Sequence, residues 1–206
     1  MLIFAVINLD QYTKSDLNMK RTLSIIILLF LAVAASAQVA ERYGLESGSV
    51  KYNASVMGQA VGMVSYFDNY GTLEAYVLDA NIPDMGYIQG AIVIRDGNVY
   101  IAAPAANFFR QEPAPEMVDF RNLTEDAVAK YKVSSLGEEI VCGKDCVKYA
   151  FDIPVQGQSI RATASVWNGL ILKLYTVVSG MDVDLKAVEL KEDVEIPEST
   201  FDVSGF

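Results

Sequence analysis

A mainly β fold of the α+β class, built on one long antiparallel sheet, is predicted by three observations. Apolar and polar residues alternate with period two through most of residues 47–102 and 147–190. Asp96-Gly97 and Asn168-Gly169 stand between such runs, as tight hairpin turns require, because glycine accepts positive φ without a Cβ clash. Beyond residue 37, a single stretch carries the start and stop signals of a helix.

The elements follow in order. Ser47 to Val56 is a strand with Val50, Tyr52, Ala54 and Val56 on one face. After Met57-Gly58 the chain resumes with Val61, Met63 and Ser65 opposite Gly62, Val64 and Tyr66, and breaks at Asp68-Asn69-Tyr70-Gly71. Thr72 to Leu78 is a third strand, ended by Asn81-Ile82-Pro83-Asp84. Tyr87 to Ile94 and Asn98 to Ala102 form a hairpin around Arg95-Asp96-Gly97.

From Pro104 to Leu136 the alternation stops, and Pro104, Pro113 and Pro115 remove the N–H donors a ladder needs. Thr124 caps a short helix there, with Glu125 and Asp126 in its first turn and Lys130 and Lys132 near its end, a charge order that suits the helix dipole. Strands return at Val147 to Ile153, Ser159 to Trp167, Leu170 to Val178 and Met181 to Leu190. The tail from Ile196 to Phe201 turns once and drops Phe201 onto the sheet. The sum is a meander of about nine or ten strands, and a sheet that long curls strongly or closes.

The N-terminal region reads differently. Lys20-Arg21, the apolar run from Ile25 to Val33 and the small residues Ala35-Ser36-Ala37 have the order of a cleavable secretory signal peptide. Asp10 and Asp16 suit an n-region poorly, so Met19 is the expected start, residues 1–37 the leader, and residues 38–206 one exported domain. The apolar run is too short for the roughly 30 Å hydrocarbon core of a bilayer. No cysteine follows the cleavage site, so a lipid anchor is not indicated.

Composition excludes several chemistries. The chain has 26 Asp+Glu against 16 Lys+Arg, a net charge of −10, which repels phosphate backbones and disfavours nucleic acid as a partner. It contains 0 histidines, which removes Ser-His-Asp and Cys-His nucleophiles and every His-containing zinc site. No metal or cofactor signature is present. Cys142 and Cys146 are the 2 cysteines, and in an exported protein their position beside a turn points to a disulfide, with a redox pair as the alternative. Asn53-Ala54-Ser55 and Asn122-Leu123-Thr124 match the glycosylation sequon, which matters only in a eukaryotic secretory pathway.

Ile92-Val93-Ile94-Arg95-Asp96-Gly97-Asn98-Val99-Tyr100 followed by Pro104 resembles a hairpin of the LolA/LolB-like fold of periplasmic lipoprotein carriers. Phe120-Arg121-Asn122-Leu123-Thr124, Gly137-Glu138-Glu139 and Cys142-Gly143-Lys144-Asp145-Cys146 resemble exported members from Bacteroidetes-type bacteria. Tyr66-Phe67-Asp68-Asn69-Tyr70-Gly71 and the run from Val194 to Phe201 do the same. The likeness covers most of Tyr43 to Phe206. It implies a half-barrel whose apolar concave face is partly covered by one or two short helices and, in the carriers, receives acyl chains. The chain departs from them at its start, because Gln38 to Glu46 is too short for their opening amphipathic helix.

On that basis Met57, Met63, Phe108, Phe109, Met117, Phe120, Trp167, Leu172 and Leu174 are the candidate residues for a lipid cavity. Phe108, Phe109, Met117, Val118 and Phe120 act either as a lid that touches a lipid tail or as core plugging the open end. Asp182 and Asp184 share a strand face as paired carboxylates or as a solvated surface, and Arg95 and Arg161 stand near a cavity mouth or on a wet face. The expected partner is a lipid, acyl chain or lipoprotein held by a periplasmic or secreted monomer without enzymatic activity. The alternative is a β-rich envelope module with a filled core that binds a protein.

Overall fold

A computed structural model of the chain describes residues 41–56, 59–82, 86–104, 108–114, 116, 118–155, 158–178 and 180–203. The leader, Met57 and Met117 lie outside these residues. The strands are β1 (Gly48–Val56), β2 (Gln59–Asp68), β3 (Leu73–Ile82), β4 (Gly86–Arg95), β5 (Asn98–Ala103) and β6 (Phe108–Pro113). After the helix α1 (Glu125–Tyr131) come β7 (Ser134–Val141), β8 (Lys144–Val155), β9 (Gln158–Trp167), β10 (Leu170–Val178) and β11 (Met181–Glu192). Short 3-10 turns occupy Asn69–Gly71 and Glu198–Phe201.

Among the described residues, all 11 strands belong to one antiparallel sheet of order β6-β5-β4-β3-β2-β1-β11-β10-β9-β8-β7. The predicted single meander is therefore two meanders, β1–β6 and β7–β11, joined where the first strand pairs with the last. The sheet does not close; β6 and β7 are its free edges. Bulges at Lys51/Tyr52, Ile171/Lys173 and Ser135/Gly137 add local twist, so the sheet curls as an open half-barrel.

Two strands exceed the sequence expectation, β6 and β7. Both are edges, and a half-exposed edge strand lacks clean alternation because neither face is fully buried. Pro113 ends β6 where no further ladder donor is required.

Alternation sorts the side chains as predicted. Ala164, Leu174, Leu185, Ala54, Val61 and Ala80 lie in register across six strands and are buried on one face. That face is the concave one and holds the main core. On the other face Phe201 is buried against Ala75 and Val93, as the tail pattern predicted.

Candidate functional site: the concave face and the segment that crosses it

Because β6 and β7 are opposite edges of the sheet, the described residues between them, 114, 116 and 118–133, must lead from one edge to the other. They do so over the concave side. Val118 is buried in the main core, and Phe120 stacks on Tyr149 with centroids 5.2 Å apart and meets Phe151 edge-on at 5.1 Å. Asp119 folds the turn that follows, its carboxylate accepting from the Arg121 and Asn122 amides at 3.0 and 3.2 Å.

Helix α1 is built as the sequence dictates. The Thr124 Oγ1 accepts from the Ala127 amide at 3.1 Å, and Lys132 ends the helix in the left-handed conformation. Tyr131 is the one buried residue of the helix.

The exit from α1 is tied to the sheet by Asp152 on β8. Its carboxylate accepts from Lys132 Nζ at 2.7 Å, from Arg161 Nη1 at 3.0 Å and from Ser159 Oγ at 2.8 Å. Arg161 also donates to the Lys132 carbonyl at 3.0 Å. The hydrogen bond from Lys132, followed by those from Arg161 and Ser159, holds the Asp152 carboxyl well below the usual carboxylate range.

A second covering piece leads into β1. Arg42 is buried and its guanidinium meets the buried Glu74 carboxylate, which also accepts from Tyr43 Oη at 2.9 Å and from Tyr76 Oη. The chain is held there by two turns: the Arg42 and Tyr43 amides donate to the Tyr70 carbonyl, and the Gly44 amide donates to that of Asn168. Both turns need glycine. A Cβ on Gly71 would come within 2.6 Å of the Tyr43 ring, and one on Gly169 would collide with the Arg42 carbonyl oxygen. Arg121 completes the lock, donating to the Tyr43 carbonyl at 2.6 Å, so the two covering pieces touch.

Between these pieces and the sheet lies a cavity of about 20 Å³, lined among others by Arg42, Tyr52, Glu74, Tyr76, Val118 and Phe120. That is room for a water molecule. Burial pushes the Tyr52 and Tyr76 hydroxyls above the ordinary tyrosine range, so both stay neutral.

The predicted cavity residues separate. Met63, Leu172 and Leu174 are buried in the concave core, and Phe120 lies in the crossing segment above it. Phe108 and Phe109 are not in that segment; they are strand residues of β6, paired with Ala103 and Ala102. Phe108 packs against the core, whereas strand alternation leaves Phe109 49% exposed. Trp167 is partly buried and packs against the main core, and Lys144 Nζ stands 4.4 Å over its ring.

The expected Cys142–Cys146 bridge is not formed; both thiols are free. Cys142 is in the turn at φ 52°, while Cys146 is a buried strand residue opposite Glu139. Burial raises the Cys146 thiol, which suits packing better than redox exchange.

Asp182 and Asp184 stand two residues apart on β11. Asp182 accepts from Tyr175 Oη at 2.7 Å, and Asp184 sits opposite Tyr175 and Ser55 in the ladder. Among the described residues no cluster of acids and thiols is arranged to hold a metal ion. Arg95 is occupied by Asp96 and the Phe201 carbonyl. Arg42, Glu74 and Tyr131 went unpredicted; the signal for one was present, since Glu74 is an acid in step with Tyr76 and Leu78.

No protein-family model and no curated relative matches the sequence. Solved structures do resemble it in shape. A chain of the MucA/MucB complex of Pseudomonas aeruginosa is 16% identical with a TM-score of 0.50, the alignment covering 77% of this chain and 56% of that one. The chain thus spans little more than half the length of that neighbour. LprF of Mycobacterium bovis is 14% identical over 84% of this chain and 97% of its own, with a TM-score of 0.40. The lipoprotein LppX of Mycobacterium tuberculosis is 11% identical over 75% and 91%, with a TM-score of 0.38. What this chain shares with the MucA/MucB neighbour is its fold, and the open, curled antiparallel sheet is the half-barrel that the LolA/LolB-like resemblance implies.

Proposed function

We propose that this chain is an exported, non-enzymatic carrier that holds a lipid or acyl chain between the concave face of its sheet and the segment crossing it. One observation carries the proposal: an apolar concave face is bridged, edge to edge, by a single connection whose helix buries only Tyr131. That cover packs on the face through Val118, Phe120, Leu123, Ala127 and Tyr131, and as a single connection it can share the face with a ligand. The absence of histidine and the engagement of Asp182 by the Tyr175 hydroxyl support binding rather than catalysis. The leader pattern supports a periplasmic or secreted location.

A second reading has its own support. A cavity of about 20 Å³ holds a water and no acyl chain, as a filled-core module for an envelope protein partner requires.

An acyl-chain fluorescent probe decides between them. The carrier binds it at one saturable site, fatty acid displaces it, and Phe120→Asp weakens it because a carboxylate among Tyr149 and Phe151 is costly to desolvate. Phe109→Asp, on an exposed edge position, leaves binding unchanged. Absence of probe binding, with Phe120→Asp unfolding the domain, transfers the function to the interaction module.

A further inference from the structure

The convex side of β8–β11 carries a charge pattern that the net charge of −10 hides. Across the ladder, Lys148 on β8 stands opposite Ser165 on β9, and Ser165 opposite Lys173 on β10. Lys173 in turn faces Lys186 on β11, which faces Asn53 on β1. The residues that alternate with them, Ala164, Leu174, Leu185 and Ala54, belong to the concave core, so this row lies on the outside of the half-barrel. It brings three lysines within three strand spacings, about 14 Å. Lys51 and Lys191 continue it on the same side of β1 and β11, opposite Glu189 and Ser49. Glu139 takes Lys173 at 2.9 Å and lies 3.9 Å from Lys148, and Glu189 takes Lys191 at 3.3 Å. Lys51 and Lys186 are exposed and have no ion pair among the described residues.

This pattern is unfavourable for the fold by itself. Like charges directly opposite one another, as at Lys173 and Lys186, destabilise an antiparallel pair. The five basic residues are all lysines, point charges on long stems that suit a layer of phosphates rather than one forked carboxylate contact. Val188 stands among them, passed over in the β1 register at the bulge and 46% exposed. A convex face also offers no groove for an extended peptide. Net charge governs the far field, but at physiological salt the Debye length is about 8 Å, so the charges that touch a surface decide docking. Asp184, two residues before Lys186, marks the border of the basic area. We infer that this lysine row docks the protein on an anionic phospholipid surface, with Val188 seated among the headgroups. The inference is independent of the acyl-carrier function, and it turns the concave face and its crossing segment away from the bilayer.

Vesicle co-sedimentation tests this, with phosphatidylcholine alone and with an equal mixture of phosphatidylcholine and phosphatidylglycerol. Wild type is expected to bind the mixed vesicles, to lose that binding as salt is raised, and to leave pure phosphatidylcholine alone. One lysine at an anionic surface is worth about fivefold in binding, so Lys186→Gln is expected to weaken it about fivefold and Lys51→Gln with Lys186→Gln about 25-fold. Lys130→Gln is the control: it removes the same charge from α1, over the concave side, and is expected to leave binding unchanged. Equal weakening by Lys186→Gln and Lys130→Gln would overturn the docking row in favour of net charge alone. Equal binding to both vesicle types would overturn its electrostatic basis. Absence of binding to either would overturn membrane docking and assign the row to an acidic protein partner.

Discussion

The Arg42 guanidinium lies against the Glu74 carboxylate inside the concave core, on a row of the sheet that Glu74 shares with Phe67 and Ile94. The side chains are 8% and 2% exposed, so neither charge has water as a substitute partner. Breaking such a pair costs about 3–5 kcal/mol, because the survivor stays buried and uncompensated. Arg42→Met should lower unfolding stability by that amount in urea titration. Arg42→Met with Glu74→Gln should recover part of it, since a neutral amide still accepts from Tyr43 and Tyr76.

Gly169 should be intolerant for two separable reasons, its φ of 83° and the passage of the Arg42 carbonyl over it. Gly169→Ala is expected to cost on the order of 1–3 kcal/mol and to lift the segment at Arg42–Gly44. Trypsin should then cleave after Arg42 in the folded variant and not in the wild type.

Asp152 makes the exit tether of the crossing segment depend on pH. Its carboxyl is held down by Lys132 first, then Arg161 and Ser159. A depressed carboxyl stabilises the folded state above the unfolded value of roughly 4, and that stabilisation fades as pH falls through the folded value. Asp152→Asn should therefore melt below wild type at pH 7, and the two melting curves should converge in strong acid. A gap that persists at the lowest pH would assign the effect to packing.

The thiols should react unequally. Cys146 is 1% exposed with a raised thiol, whereas Cys142 is half-buried in a turn. Iodoacetamide should modify Cys142 in the native protein and Cys146 only after unfolding. The same intact-mass measurement on protein from an envelope fraction should give residues 38–206. A mass short of two hydrogens, with no labelling, would instead establish the bridge expected from the sequence.

How much was legible follows from where each residue lies. β1–β5 and β8–β11 could be read because one face is wet and the other dry, which forces period two on the sequence. The helix could be read because Thr124 caps it and Glu125 and Asp126 precede Lys130 and Lys132 in the order its dipole favours. Phe108 and Phe109 were misplaced because an edge strand between prolines has the composition of a loop. Arg42 was illegible for another reason. Its partner Glu74 lies in a different element, and nothing local to either residue encodes the meeting.

The join of β1 to β11 has a consequence for how the chain comes into being. Strand β1 precedes β2 and finds it at once, yet its other neighbour is the last strand of this sheet in chain order. The crossing segment emerges after β6, before the strand edge it must reach exists. Contacts this distant in sequence form late and slowly. A ribosome-bound or translocating chain that ends before Met181 has a bare edge and an uncovered apolar face, a substrate for chaperones and proteases. The two halves are provisional until the final strand is threaded between them.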